Sequence, residues 1–80
     1  MEIKILGTGC PKCQSLEKSV REVVTKLGID AQIGKVDDIM KIMEYGIMRT
    51  PGLVIDGKVV ASGRLLSAKE IEGYINSNQL

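Results

Sequence analysis

The sequence contains no histidine, phenylalanine or tryptophan and only two tyrosines. The missing aromatics argue against a stacking platform for single-stranded nucleic acid. Two cysteines with no histidine fall short of the four ligands a structural zinc site wants, so no metal site is expected. An excess of charge of one sign is absent too. Eleven basic and ten acidic residues leave a net charge of +1, and no electrostatic footprint for nucleic acid or an anionic membrane appears. No apolar run approaches the ~20 residues of a membrane span, and Met1-Glu2-Ile3-Lys4 lacks the charged-then-apolar order of a signal peptide. The expectation is a cytoplasmic protein with neither nucleic acid nor membrane as partner.

What remains is a chain of 80 residues, enough for one domain, 1–80, with one sheet and a few helices. At 44% hydrophobic residues, its core must come from Ile, Leu, Val and Met. In a reducing compartment two cysteines three apart are seldom a structural staple, and the short ring they close gains little chain entropy.

The chemistry concentrates in Leu6-Gly7-Thr8-Gly9-Cys10-Pro11-Lys12-Cys13. An apolar strand, Glu2 to Leu6, runs into a glycine-spaced loop, and Pro11 is suited to the first helical position because its missing N–H would be unpaired there anyway. Cys10 is thereby expected at the N-cap, where unpaired N–H groups and the positive helix end favour a thiolate. Cysteines so placed reach pKa values of roughly 3.5–7.5, and only the thiolate is nucleophilic. Cys13, at i+3, shares a face with Cys10 and with the buried stripe Leu16, Val20 and Val24, so it is expected to be the less exposed thiol of a pair able to form a disulfide.

After the helix, which is expected to end at Gly28, the sequence predicts a strand over Asp30 to Val36 and a short helix capped by Asp37 or Asp38. That second helix is expected to turn Met40 and Met43 into the core and to stop at Gly46. Leu53-Val54-Ile55 and Lys58 to Ala61 form a hairpin around Asp56-Gly57. Ser67-Ala68-Lys69-Glu70 is a capping box for a last helix with Ile71, Tyr74 and Ile75 inward, and Asn76 to Leu80 reads as a fraying tail. The order is β-α-β-α-β-β-α, and strands separated by helices point to parallel pairs, with an antiparallel strand added by the hairpin. Tyr45 and Tyr74 read as packing at helix ends, and Arg49 and Arg64 as solvated surface charges.

The CxxC box after a first strand, the Tyr45-Gly46-Ile47 helix end, Thr50-Pro51 before Leu53, the Gly57 turn and Gly63 together resemble the thioredoxin-fold oxidoreductases. The resemblance is closest to their small, glutaredoxin-sized members. It covers nearly the whole chain and implies an α/β thioredoxin fold with a four-stranded mixed sheet, monomeric and without a cofactor. It further implies a thiol-disulfide oxidoreductase in which Cys10 attacks a protein disulfide, a mixed disulfide forms, and Cys13 resolves it. By the same resemblance Pro51 has a cis peptide bond beside the sulfurs and the Thr50 backbone pairs with substrate. Gly9, Pro11 and Lys12 complete the substrate-binding surface, Lys12 adding positive potential near Cys10. Met48 is placed beside Thr50 in that groove. The electron donor is a thioredoxin-reductase-like protein or a small thiol.

Three departures accompany the resemblance. Gly9 stands where full thioredoxins have a tryptophan. Lys4 stands where they bury an acid, leaving no evident carboxylate base for Cys13, so Lys4 or water takes that place. Ala61-Ser62-Gly63-Arg64-Leu65 lacks the acid of the stretch that holds glutathione in glutaredoxins. Two alternatives stay open: a glutathione-dependent glutaredoxin, and a non-enzymatic Cu(I) carrier using the CxxC. Copper carriers, however, have a methionine where this chain has Thr8, and end in a strand.

Overall fold

The computed structural model describes residues 1–9, 11–47 and 49–78, so the expectations for Cys10, for Met48 and for the last two tail residues lie outside the described residues. The elements are β1 (Glu2–Leu6), α1 (Pro11–Leu27), β2 (Gln32–Val36), α2 (Ile39–Glu44), β3 (Gly52–Ile55), β4 (Lys58–Ser62) and α3 (Ala68–Asn78). They form one four-stranded mixed sheet in the order β2-β1-β3-β4. No helix among the described residues is long and apolar enough to cross a membrane.

Helix α1 starts at Pro11 and turns Cys13, Leu16, Val20, Val23 and Val24 inward. It ends where the Gly28 N–H reaches the Val24 carbonyl at 3.0 Å. Its stripe packs with Ile71 and Ile75 of α3 on Ile3, Ile5, Leu53 and Ile55 of the sheet. Each such side chain contributes about 1.5–3 kcal/mol when fully buried. The opposite face holds a smaller cluster, Leu6 and Val54 under Ile42 of α2. Between these layers every residue of β3 is buried, as a strand covered on both faces requires. The hairpin after it turns through Asp56 at φ 49° and Gly57 at φ 83°, the left-handed pair that a two-residue turn demands.

Only one of the two helix-linked strand pairs is parallel. β1 pairs with β2 in parallel, Ile3 opposite Ile33, whereas β3 runs antiparallel to β1, Leu6 opposite Gly52. Length explains the difference. With 17 residues α1 spans about 25 Å and returns the chain along a strand of about 17 Å, while the 6 residues of α2 span about 9 Å. The chain therefore leaves α2 at the end of the sheet it reached through β2, and β3 starts where β1 stops. This places Thr50-Pro51 beside the loop that follows β1.

The short α2 also corrects the expected core. Met40 and Met43 are 68% and 63% exposed, and Ile39 is 61% exposed. A helix of fewer than two turns brings a single residue, Ile42, onto the sheet and leaves its neighbours outside. Asp38 caps it, accepting from the Met40 N–H at 2.9 Å. At the other end of the chain α3 continues to Asn78 instead of fraying at Asn76. No glycine or proline follows Gly73, and buried Ile71 and Ile75 anchor the preceding turns.

Candidate active site

The loop after β1 is fastened at its base and at its tip. The Gly7 N–H donates to the Val36 carbonyl at 2.9 Å, extending the β1–β2 ladder by one bond. Gln14, in the first turn of α1, donates from Nε2 to the Gly9 carbonyl at 3.1 Å. Between these ties Thr8, Gly9, Pro11 and Lys12 are exposed, while Gly7 and Cys13 are buried. Gly7 lies against the first turn of α1. A Cβ there would overlap Cys13 Sγ, and it would lie 3.9 Å from Thr50 Cβ. Gly7 thus lies between the second cysteine and the Thr50-Pro51 turn. The sequence alone offered Gly7 as a residue permitting a turn; its packing against Cys13 depends on the helix path and was not legible there.

The Thr50–Pro51 peptide bond is cis, and Pro51 is fully buried. Its carbonyl accepts from the Gly63 N–H at 2.9 Å, which ties the turn to the end of β4. Thr50 is half-buried and lines a groove of about 370 Å³ with Thr8, Ile39, Ile42, Met43, Ile47 and Arg49. The groove is apolar along α2 and carries one charge, Arg49. Ile39 and Met43 are therefore part of the site, and the signal for them was the helical stripe that looked like core. Gly9, exposed in the loop, also lines a small cavity with Cys13, Gln14, Glu17 and Lys35.

Lys4 does not serve Cys13. It points to the α2 face of the sheet, where it lines a hollow with Val36, Lys41, Glu44 and Tyr45. There the Glu2 carboxylate 3.6 Å away, and then Tyr45, hold its ammonium above the usual lysine value. Arg64, expected to be a solvated charge, donates to Glu70 at 2.8 Å. That bond, followed by the Ser67 backbone N–H, holds the Glu70 carboxyl below its ordinary range.

A family model described as "Thioredoxin domain" matches residues 1–76. A protein named thioredoxin from Methanothermobacter thermautotrophicus is 47% identical over 76 residues, covering 95% of this chain and 99% of that one. The chain belongs to the thioredoxin family. Another thioredoxin, from Methanocaldococcus jannaschii, is 43% identical over 75 residues, covering 94% of this chain and 86% of its own. Among solved structures, thioredoxin 1 from Thermosipho africanus superposes with a TM-score of 0.66 at 15% identity, over 99% of this chain and 94% of that one, which shows the thioredoxin fold. Membership at this identity over nearly the whole chain makes the protein a thiol-disulfide oxidoreductase.

Proposed function

We propose that the protein reduces protein disulfides through a reversible Cys10–Cys13 disulfide, residues 1–80 acting as one cytoplasmic, monomeric unit. Cys10 is the attacking thiol and Cys13 the resolving thiol. The reading is supported above all by the burial of Cys13 under Gly7, while Gly9 and Pro11, which flank Cys10 in sequence, are exposed. A sheltered Cys13 suits a cycle in which the mixed disulfide is opened from within. In this reading the substrate chain lies across Thr50 and Pro51 with Gly9, Pro11 and Lys12 at its side, and the groove along α2 takes its apolar residues. The electron donor is a reductase protein or a small thiol. A dedicated glutathione cycle has less support, because Ala61-Ser62-Gly63-Arg64-Leu65 lacks the acid of the stretch that holds glutathione in glutaredoxins.

The test uses insulin as a disulfide-bearing substrate with dithiothreitol as reductant. Cys13→Ser is expected to trap a covalent mixed disulfide that migrates as a larger species without reductant. Cys10→Ser is expected to give neither trapping nor turnover, and full turnover in that variant would sink the assignment.

A further inference from the structure

A thiol must lose its proton before it attacks a disulfide, and Cys13 is buried. On the α1 side of the sheet a cavity of about 70 Å³ is lined by Cys13, Gly9, Gln14, Glu17 and Lys35. At ~30 Å³ per molecule it has room for about two waters. Glu17 follows Cys13 by four residues on the same helical face. Both residues line that cavity. The Glu17 side chain is only 17% exposed and is held from two directions. Arg21 donates to it from Nε and Nη2 at 3.2 and 3.0 Å, and Lys35 Nζ lies 3.5 Å from its other oxygen. Among the described residues these two cations are the charged groups paired with it, one from α1 and one from β2. β1 presents Ile5 there, with Lys4 turned to the far face. The Arg21 bond, with help from Lys35, keeps the carboxyl below its usual range, so it is an ionised acceptor at neutral pH.

We propose that Glu17 accepts the proton of Cys13, through water in this cavity, when Cys13 resolves the mixed disulfide. The proposal rests on the Cys10–Cys13 cycle above. The Cys13 S–H bond breaks, its proton passes through water to a Glu17 oxygen, and the Cys13 electron pair forms the bond to the Cys10 sulfur. The bond from Cys10 to the substrate breaks, and the substrate sulfur leaves as a thiolate with that electron pair. The proton on Glu17 returns through solvent to the departing sulfur. Cys10 and Cys13 end oxidised and the substrate disulfide reduced. Glu17 touches no reacting sulfur in this scheme; it acts through water.

Stopped-flow mixing of the reduced protein with dithiobis(nitrobenzoate) separates the two chemical steps, one chromophore released on attack and a second on resolution. Glu17→Gln is expected to slow the second phase about tenfold near pH 6–7, below the ~10²–10⁴ of well-matched general bases because the Arg21 bond lowers the carboxyl's basicity. The loss is expected to shrink as pH rises and hydroxide competes for the proton, and the first phase keeps its rate. Arg21→Gln removes an ion pair outside the cavity lining but leaves the carboxylate, and is expected to retain the unsubstituted pH profile. A profile in Arg21→Gln that copies Glu17→Gln would make the cluster structural and overturn the proposal. A Glu17→Gln second phase that is unchanged at every pH, or faster as repulsion between carboxylate and thiolate would have it, overturns it as well. If Glu17→Gln does not fold, Glu17→Asp draws the carboxylate back by one methylene and is expected to give a smaller slowing with the same pH dependence; no slowing refutes the role. An unsubstituted protein with no second phase refutes the exchange cycle itself, and not Glu17 alone.

Discussion

Gly7 and Cys13 are packed so closely that a Cβ at position 7 would overlap the cysteine sulfur and stand 3.0 Å from its Cβ. The neighbour is the start of α1, so relief requires the helix or its first turn to move. Gly7→Ala is expected to cost about 1–3 kcal/mol, the range for overpacking a well-filled site. The same displacement moves the Cys13 sulfur, so in the proposed cycle the second chemical phase is expected to slow while the first does not. Urea unfolding midpoints and stopped-flow traces check the two effects on one sample. An unchanged midpoint would mean that α1 yields without strain.

The cap of α3 offers a stability change remote from the chemistry. The Glu70 N–H donates to Ser67 Oγ and the Ser67 N–H to Glu70 Oε1, both at 3.2 Å, the reciprocal pair of a capping box. Ser67→Ala is expected to lose about 1 kcal/mol in urea unfolding with insulin reduction unchanged. A loss of activity beyond the unfolded fraction would show that α3 reaches the site.

That capping box was legible in the sequence because all its partners lie within four residues. The same holds for the Asp56-Gly57 turn, the stripe of α1 and the burial of Cys13. What escaped depends on tertiary path. The Ile39, Ile42 and Met43 stripe is a true helical face, but α2 is too short to lay it on the sheet, so it borders a groove instead. The direction of β3 escaped for the same reason, and with it the cause of Thr50-Pro51 meeting the loop after β1. Glu17 looked like the polar side of an amphipathic helix; only the position of β2, which brings Lys35 to it at 3.5 Å, draws it toward the cavity that Cys13 lines.

Acid sensitivity follows from two carboxylates. Glu17 and Glu70 titrate below their ordinary value of 4.5 in the folded chain, each held down first by its hydrogen bond to arginine. The unfolded chain then binds protons more readily than the folded one as pH drops. The stabilisation is present above about pH 4.5 and is lost as pH falls through the folded values. Thermal midpoints are expected to hold from neutral pH down to that point and to decline below it. Glu70→Gln is expected to flatten the decline. An identical slope in Glu70→Gln would place the acid response on other groups.

The exposed face of α2 is expected to matter for partners and not for folding. Ile39 and Met43 are more than half exposed, so Ile39→Gln and Met43→Gln remove little buried area and are expected to shift stability by no more than about 0.5 kcal/mol. A substrate chain that follows the proposed groove covers these side chains. Fully burying such a side chain is worth about 1.5–3 kcal/mol. Covering the exposed half of one is then worth roughly 1 kcal/mol, or about fivefold in kcat/KM. That loss is expected with insulin, whose chain can lie along the groove. It is not expected with dithiobis(nitrobenzoate), which is too small to span from Thr50 to Met43. Equal losses on both substrates would mean that the substitutions disturb the loop, whereas no loss on either would mean that the protein substrate crosses the site by another path.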